Sequence, residues 1–576
     1  MTKRTLTLLL SVALAAQCAL PGLYAKDRGI DLRKATRTTL TATVDGNPVK
    51  VTWYCGTYVT APNRPEDQKI NIYIPAGATK SSPIMFYVNN AGWQANSYPT
   101  ATINEEREYD STRDKVGVAL KNGYVVVSYG ARSRSNGPTE GKYLGHSPAT
   151  MVDTKAAIRY LRYNRKALPA GDTEKIIITG TSGGGALSTL IAASGNSPDF
   201  FEGLYEIGAA GITRTGDGSL VSTPGMGDNV YGVIAYCPIT DLGHSCYGYE
   251  WLFHDTRKVL YLTGEMNYPN ADEATVMKAS ECLAEMYPPY LNSLGLKDGE
   301  GNPIDSSNLR EYITLLMKEE IERSIEEFGI EQMKKDMEQE IRVRGPRGPR
   351  NAGGPQGGQA RPQGGPQGGQ ARPQGTPGEG QQGAQDGSAA ARHRVSNGWL
   401  VFNEDGTYSY DLDKHLYYLA KYTTLKVAPA FSNTGLYDAS QNEDNLFGTP
   451  AQPYAPFNAY SWDNDSRKNG VGKDDTGLDW EQYMKTDEGR ALAKEIKMTS
   501  AIDYLLEGTS DTAPFWYVRH GMDDRDNSFA VEATLFYSIK SSPKVRDSNV
   551  GFAWLRPHSG DYDVPEAYAW LSSVLK

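Results

Sequence analysis

Residues 175–195 read KIIITGTSGGGALSTLIAASG. A β-branched run enters a glycine cluster carrying one serine, and an apolar, helix-favouring segment leaves it. A phosphate-binding loop would place a lysine and then a serine or threonine after its last glycine, and none stands there. A dinucleotide loop would need glycine three residues after Gly185, where the chain has Ser188. The pattern that fits is G-x-S-x-G over Gly180, Thr181, Ser182, Gly183 and Gly184. At so tight a strand-to-helix turn the serine takes an unfavourable backbone conformation, and side chains two residues to either side would collide with strand and helix. Glycine removes those collisions. The serine hydroxyl is then raised clear of the sheet, and the Gly183 amide faces the oxygen that becomes negative during acyl transfer.

Around this turn, strand-favouring runs (KVTWYCGTYV, KINIYIP, PIMFYVN, GYVVVSYG, GVIAYCP) interleave with helical patterns such as MVDTKAAIRYLRYN. That alternation predicts an α/β fold with a largely parallel sheet covered on both faces. It stops after Cys237 and resumes at PFWYVRHG, SFAVEATLFYSIK, VGFAWLRP and VPEAYAWLSSVLK. The chain therefore divides into a core at 26–240 and 513–576, with 241–512 as an inserted lid. The insertion opens with helical segments, including the charged LREYITLLMKEEIERSIEEFGIEQMKKDMEQEIRVR. Within it, 345–392 is a Gly, Pro and Gln-rich tract in which GGPQGGQARPQ occurs twice in succession. With hardly an apolar side chain, this tract is expected to be disordered.

A serine hydroxyl needs a base, and in folds with this turn the chain order is serine, then acid, then histidine. Of the 7 histidines only His146 precedes Ser182. His393 belongs to the tract region, and His254 and His415 to helical parts of the insertion. His558, in LRPHSGDYD, falls between the last strand and the last helix, where the base is expected. His520 reads as a packed structural histidine. The acid should leave the end of the preceding strand, which selects Asp524 in HGMDD; Asp523, Asp526 and Asp241 are the rivals. The loop NNAGWQAN supplies the second oxyanion amide from Ala91 or Gly92, with Gly92 preferred.

With these residues in hand, the chain resembles the bacterial tannases, α/β-hydrolase esterases of gallate esters that are similar to some feruloyl esterases. The resemblance runs in order through GKYLGHSPATMVDTKAAIRYLRYN, GTSGGGALSTLIAASGNS, AYCPITDLGHSCYGYEW, TTLKVAPAF, NEDNLFG, YVRHGMDDRDNSFAVEATL and PHSGDYDVPEAYAWL. It implies Ser182, Asp524 and His558 as a catalytic triad, no metal and no cofactor. It also implies that Lys426, Glu443 and Asp526 meet the ring hydroxyls of a galloyl group. Carboxylates accept from phenol hydroxyls and an ammonium donates to a phenolic oxygen, so the chemistry is coherent. A feruloyl esterase is the alternative within this chemistry, and a non-catalytic surface-binding protein the alternative outside it. Prolyl-oligopeptidase-type peptidases share H-G-x-x-D, but no propeller repeats precede the catalytic part.

The remaining composition bounds the setting. In a chain of 576 residues, 69 acidic against 59 basic side chains leave nucleic acid nothing to hold. Residues 1–25, with Lys3 and Arg4 ahead of an apolar run ending in small residues, have the layout of a secretory signal peptide, implying periplasmic or extracellular export. Gln17 before Cys18 disfavours lipid attachment. No other apolar stretch approaches the roughly 20 residues that span a bilayer. Of Cys55, Cys237, Cys246 and Cys282, an exported chain could bridge Cys246 to Cys282, but buried free thiols are the simpler reading.

Overall fold

The computed structural model describes residues 30–96, 102–266, 271–343, 390–393, 397–423, 425–427, 429–434, 443–465 and 472–576. The signal-peptide expectation falls on 1–25 and lies outside them. So does the repeat tract as far as 389. Its last three residues are described: they belong to a strand over Ala390–His393 that pairs with Glu340–Val343.

In chain order the strands are β1 (Thr36–Val44), β2 (Asn47–Thr57), β3 (Lys69–Pro75), β4 (Ile84–Val88), β5 (Glu108–Tyr109), β6 (Val125–Tyr129) and β7 (Ile176–Thr181). A hairpin of β8 (Ile212–Arg214) and β9 (Leu220–Ser222) precedes β10 (Gly232–Tyr236). The pairs β11 (Glu340–Val343) with β12 (Ala390–His393), and β13 (Leu400–Phe402) with β14 (Tyr408–Tyr410), lie in the inserted part. Then come β15 (Phe515–Gly521) and β16 (Asp547–Ala553). One main sheet runs in the order β16-β15-β10-β7-β4-β6-β3-β2-β1-β5. From β16 to β6 every neighbouring pair is parallel; β6, β3, β2 and β1 then pair antiparallel.

The parallel strands β4, β6 and β10 are buried along their whole length, as a sheet covered on both faces requires. Alternate residues serve the two faces. Ile176 and Ile178 of β7 join the larger core with Ala186, Leu187 and Leu190 of the helix Gly183–Ala193. Ile177 turns the other way, toward Val118, Leu120 and Leu571. Each such aliphatic side chain taken out of water stabilises the fold by about 1.5–3 kcal/mol.

No strand between β10 and β15 joins the main sheet among the described residues. That stretch opens with helices over Leu242–Leu262, Glu273–Ser293, Leu309–Phe328 and Ile330–Glu338. The long charged pattern from Leu309 is thus two helices, broken where Gly329 takes φ 79°, and its end turns into β11. All four cysteines of the described residues are free thiols, Cys237 and Cys246 buried and Cys55 and Cys282 half-buried. Among the described residues no helix is long and apolar enough to cross a membrane.

This topology positions the site. Because β4, β6, β7, β15 and β16 run parallel, the loops leaving their C-terminal ends share one edge of the sheet. Those loops carry Gly92, Arg134, Ser182, Asp524 and His558 in turn.

Candidate active site

Ser182 stands between β7 and the helix Gly183–Ala193 with φ 61° and ψ −126°, a left-handed conformation costly for a residue with a side chain. The glycines around it make that turn sterically feasible. A Cβ on Gly180 would fall 2.4 Å from the Gly184 carbonyl oxygen, one on Gly184 2.8 Å from that of Val88, and one on Gly185 2.6 Å from that of Tyr236. These neighbours are backbone and cannot step aside. The Ser182 amide donates to the Tyr236 carbonyl at 2.9 Å, tying the turn to the adjacent strand.

His558, on the loop after β16, places Nε2 2.8 Å from Ser182 Oγ and Nδ1 2.7 Å from Asp524 Oδ2. Asp524 is fully buried, and its other oxygen accepts the Asp526 amide at 2.8 Å. Burial works against a charge on His558, but the Asp524 carboxylate outweighs it and raises the imidazole pKa. Burial likewise opposes the Asp524 charge, and the charge and hydrogen bond of His558 override it, holding the carboxyl well below its ordinary value. Asp241 looks elsewhere: Oδ1 lies 3.0 Å from His244 Nδ1, and Oδ2 accepts the Tyr290 hydroxyl at 2.7 Å. His520 lies fully buried behind the acid, 3.5 Å from Asp524 Oδ2 and 3.6 Å from Glu532 Oε1. Burial depresses its pKa to about 4, so it is neutral.

The loop after β4 comes against the helix start. A Cβ on Gly183 would fall 2.3 Å from the Trp93 amide nitrogen and 2.9 Å from that of Gly92. Gly92 takes φ 61° in this loop, and the buried Trp93 anchors it through an indole N–H donated to the Ile239 carbonyl at 3.1 Å. The Trp93 amide is engaged with the Asn90 carbonyl at 3.0 Å. Gly183 is the first residue of its helix, so its amide has no acceptor within that helix.

Lys426, Glu443 and Asp526 come from separate segments, and the charges of Lys426 and Asp526 both act on Glu443. Burial opposes the charge of Glu443, yet Lys426 and then Arg134 hold its carboxyl below the ordinary value, while Asp526 pushes it back up. Asp526 and Lys426 also act on His558, in opposite senses. A single phenol registers two of these segments: the Lys426 amide donates to the Tyr249 hydroxyl at 2.9 Å, which donates to the Arg525 carbonyl at 2.8 Å. Neither Tyr249 nor Arg134 was singled out from the sequence, where nothing local marks them.

Two triplets among the described residues bring donor atoms within 4.8 Å of one another: Cys237, His520 and Asp524, and Asp524, Asp526 and His558. Asp524 belongs to both and already holds His558 through Oδ2 and the Asp526 amide through Oδ1, so a cation would compete with those hydrogen bonds. Burial and the Asp524 charge push the Cys237 thiol well up, which keeps it protonated beside the acid.

A model of the BD-FAE family matches residues 70–311. Solved tannases match nearly the whole chain. The Fusobacterium nucleatum tannase superposes with a TM-score of 0.64 at 24% identity, covering 95% of this chain and 99% of that one. This is a tannase-like α/β-hydrolase fold. The tannin acyl hydrolase of Lactobacillus plantarum gives 0.64 at 24% identity, over 95% of this chain and 98% of that one. A tannin acyl hydrolase in complex with ethyl gallate gives 0.63 at 23%, over the same shares. No curated protein matches the chain in sequence. In this tannase-like fold, the turn at Ser182 and the loops bearing Asp524 and His558 occupy the C-terminal edge of the parallel strands.

Proposed function

We propose that the protein is an exported serine esterase that hydrolyses galloyl esters. The observation that carries this reading is the unbroken line from Ser182 through His558 to Asp524, at 2.8 and 2.7 Å, beside the charged group of Lys426, Glu443 and Asp526. His558 Nε2 takes the Ser182 proton as Oγ attacks the ester carbonyl, and the Gly183 and Gly92 amides receive the oxyanion. The C–O bond to the alcohol breaks, and the alcohol leaves with the proton from His558. Water, deprotonated by the same imidazole, then attacks the galloyl–serine ester, releasing gallic acid and restoring the hydroxyl. Asp524 holds the ring with Nε2 free to accept and stabilises the imidazolium without taking its proton. The BD-FAE match favours hydroxycinnamoyl esters as the second reading, and the same machinery would serve them.

An ester without ring hydroxyls would displace water from Lys426, Glu443 and Asp526 and return none of the hydrogen bonds that a galloyl ring offers, costing about 2–4 kcal/mol, or a rate ratio of roughly 30 to 1000. Methyl gallate is therefore expected to exceed methyl benzoate by that range in kcat/KM, with the liberated acids quantified. Asp526→Ala should shrink the ratio mainly by slowing the gallate reaction. Equal rates on methyl ferulate and methyl gallate would replace the galloyl reading with the hydroxycinnamoyl one.

The raised pKa of His558 sets the acid side of the pH profile. The base must be neutral to accept the serine proton, so activity is lost as pH falls through its pKa. The acid limb of kcat/KM should have its midpoint above the ordinary imidazole value of about 6.5. In Asp524→Asn, burial acts without its counterweight and the midpoint should move below that value. A wild-type limb at or below it would contradict the assignment of His558.

A further inference from the structure

We infer that Arg134 is a positioning residue that holds the oxyanion loop in register and ties it to the inserted part; the inference rests on the esterase reading above. Three consecutive residues after β6 grip the loop after β4. Ser133 Oγ donates to the Trp93 carbonyl at 2.6 Å, Arg134 Nε to the Gly92 carbonyl at 2.7 Å, and Ser135 Oγ accepts the Ala95 amide at 2.8 Å. The middle contact counts most for chemistry. The Gly92–Trp93 peptide is pinned at both ends, its carbonyl by Arg134 and its N–H by the Asn90 carbonyl at 3.0 Å. With that plane fixed, and Gly92 at φ 61° and ψ 27°, the direction of the preceding Gly92 amide follows. That amide lies beside Gly183, where the oxyanion is to be received.

Arg134 also reaches the inserted part. Its Nη1 donates to Asn445 Oδ1 at 2.7 Å, two residues past Glu443, and its charge helps to hold the Glu443 carboxyl low. One guanidinium thus joins the loop that would stabilise the transition state to the segment that would read the ring. Its rigid fork suits two acceptors at once; a lysine ammonium at the same place could satisfy one.

The test uses p-nitrophenyl acetate, whose acyl group has no ring to read, beside methyl gallate. If Arg134 positions the oxyanion loop, Arg134→Ala should lower kcat on both esters by about 30 to 300-fold, with KM within a few-fold and the acid limb of the pH profile unmoved. Arg134→Lys should recover part of the acetate rate, because the ammonium can still donate to the Gly92 carbonyl. Thermal melts separate this from unfolding; if Arg134→Ala melts early, Arg134→Lys decides, and a several-fold lower kcat at an unchanged melt is the expected result. Loss on methyl gallate alone, with acetate within threefold, would overturn the proposal and make Arg134 a ring contact. So would wild-type rates in Arg134→Lys on both esters. Wild type no faster than Ser182→Ala on every ester would remove the esterase reading and this inference together, whereas an active wild type matched by Arg134→Ala removes this inference alone.

Discussion

Ser182→Ala is expected to lower turnover by about four orders of magnitude or more while the protein stays folded. The hydroxyl that it removes bonds to His558 at 2.8 Å and sits on a partly exposed turn whose shape is imposed by the glycines around it. Alanine inherits the same φ of 61°, so the strain persists and only the nucleophile is removed. His558→Ala should cost about as much, and the double variant little more than either single one, because the two groups act in one proton transfer. Turnover rates and thermal melts of the three variants check this. Ester hydrolysis surviving in Ser182→Ala at near the wild-type rate would end the nucleophile assignment.

Asp524→Asn is expected to lower kcat by about four orders of magnitude, by a different route. The carboxylate oxygen 2.7 Å from His558 Nδ1 can only accept, which leaves Nε2 without a proton and ready to take one. The Asp526 amide occupies the other oxygen at 2.8 Å, so asparagine keeps its carbonyl there and turns its NH2 toward the imidazole. Nδ1 must then accept, Nε2 carries the proton, and the base can no longer take one from serine. Asp241→Asn is the control, since its carboxylate bonds to His244 and Tyr290 and should bear on stability instead. If Asp241→Asn is the slower enzyme, the acid is misassigned.

The elbow could be read from sequence because its geometry is local: four glycines flank one serine, and each is required by backbone within a few ångströms. His558 and Asp524 followed from chain order, since each leaves the end of a strand the alternation had already located. Lys426 and Glu443 had no such warrant in composition or spacing; only family resemblance pointed to them. Arg134 was out of reach altogether. In ARSRSNG it looks like an ordinary loop cation, and its contact with Asn445 spans 311 positions of chain. The strand β1 escaped for a different reason. In TRTTLTATV the first four residues are exposed and the alternation emerges only from Leu40, so the threonine-rich half carries no period. Gly329 breaks an expected helical run by taking φ 79°, and the sequence does not show the break because the apolar spacing continues on both sides of it.

Reaction of the wild-type enzyme with a fluorophosphonate, followed by peptide mass spectrometry, decides whether Ser182 is the nucleophile of a galloyl esterase. One adduct is expected, on Ser182, its formation slowed by excess methyl gallate and far less by methyl benzoate at the same concentration. An adduct on another residue, no adduct at all, or equal protection by the two esters would contradict that assignment.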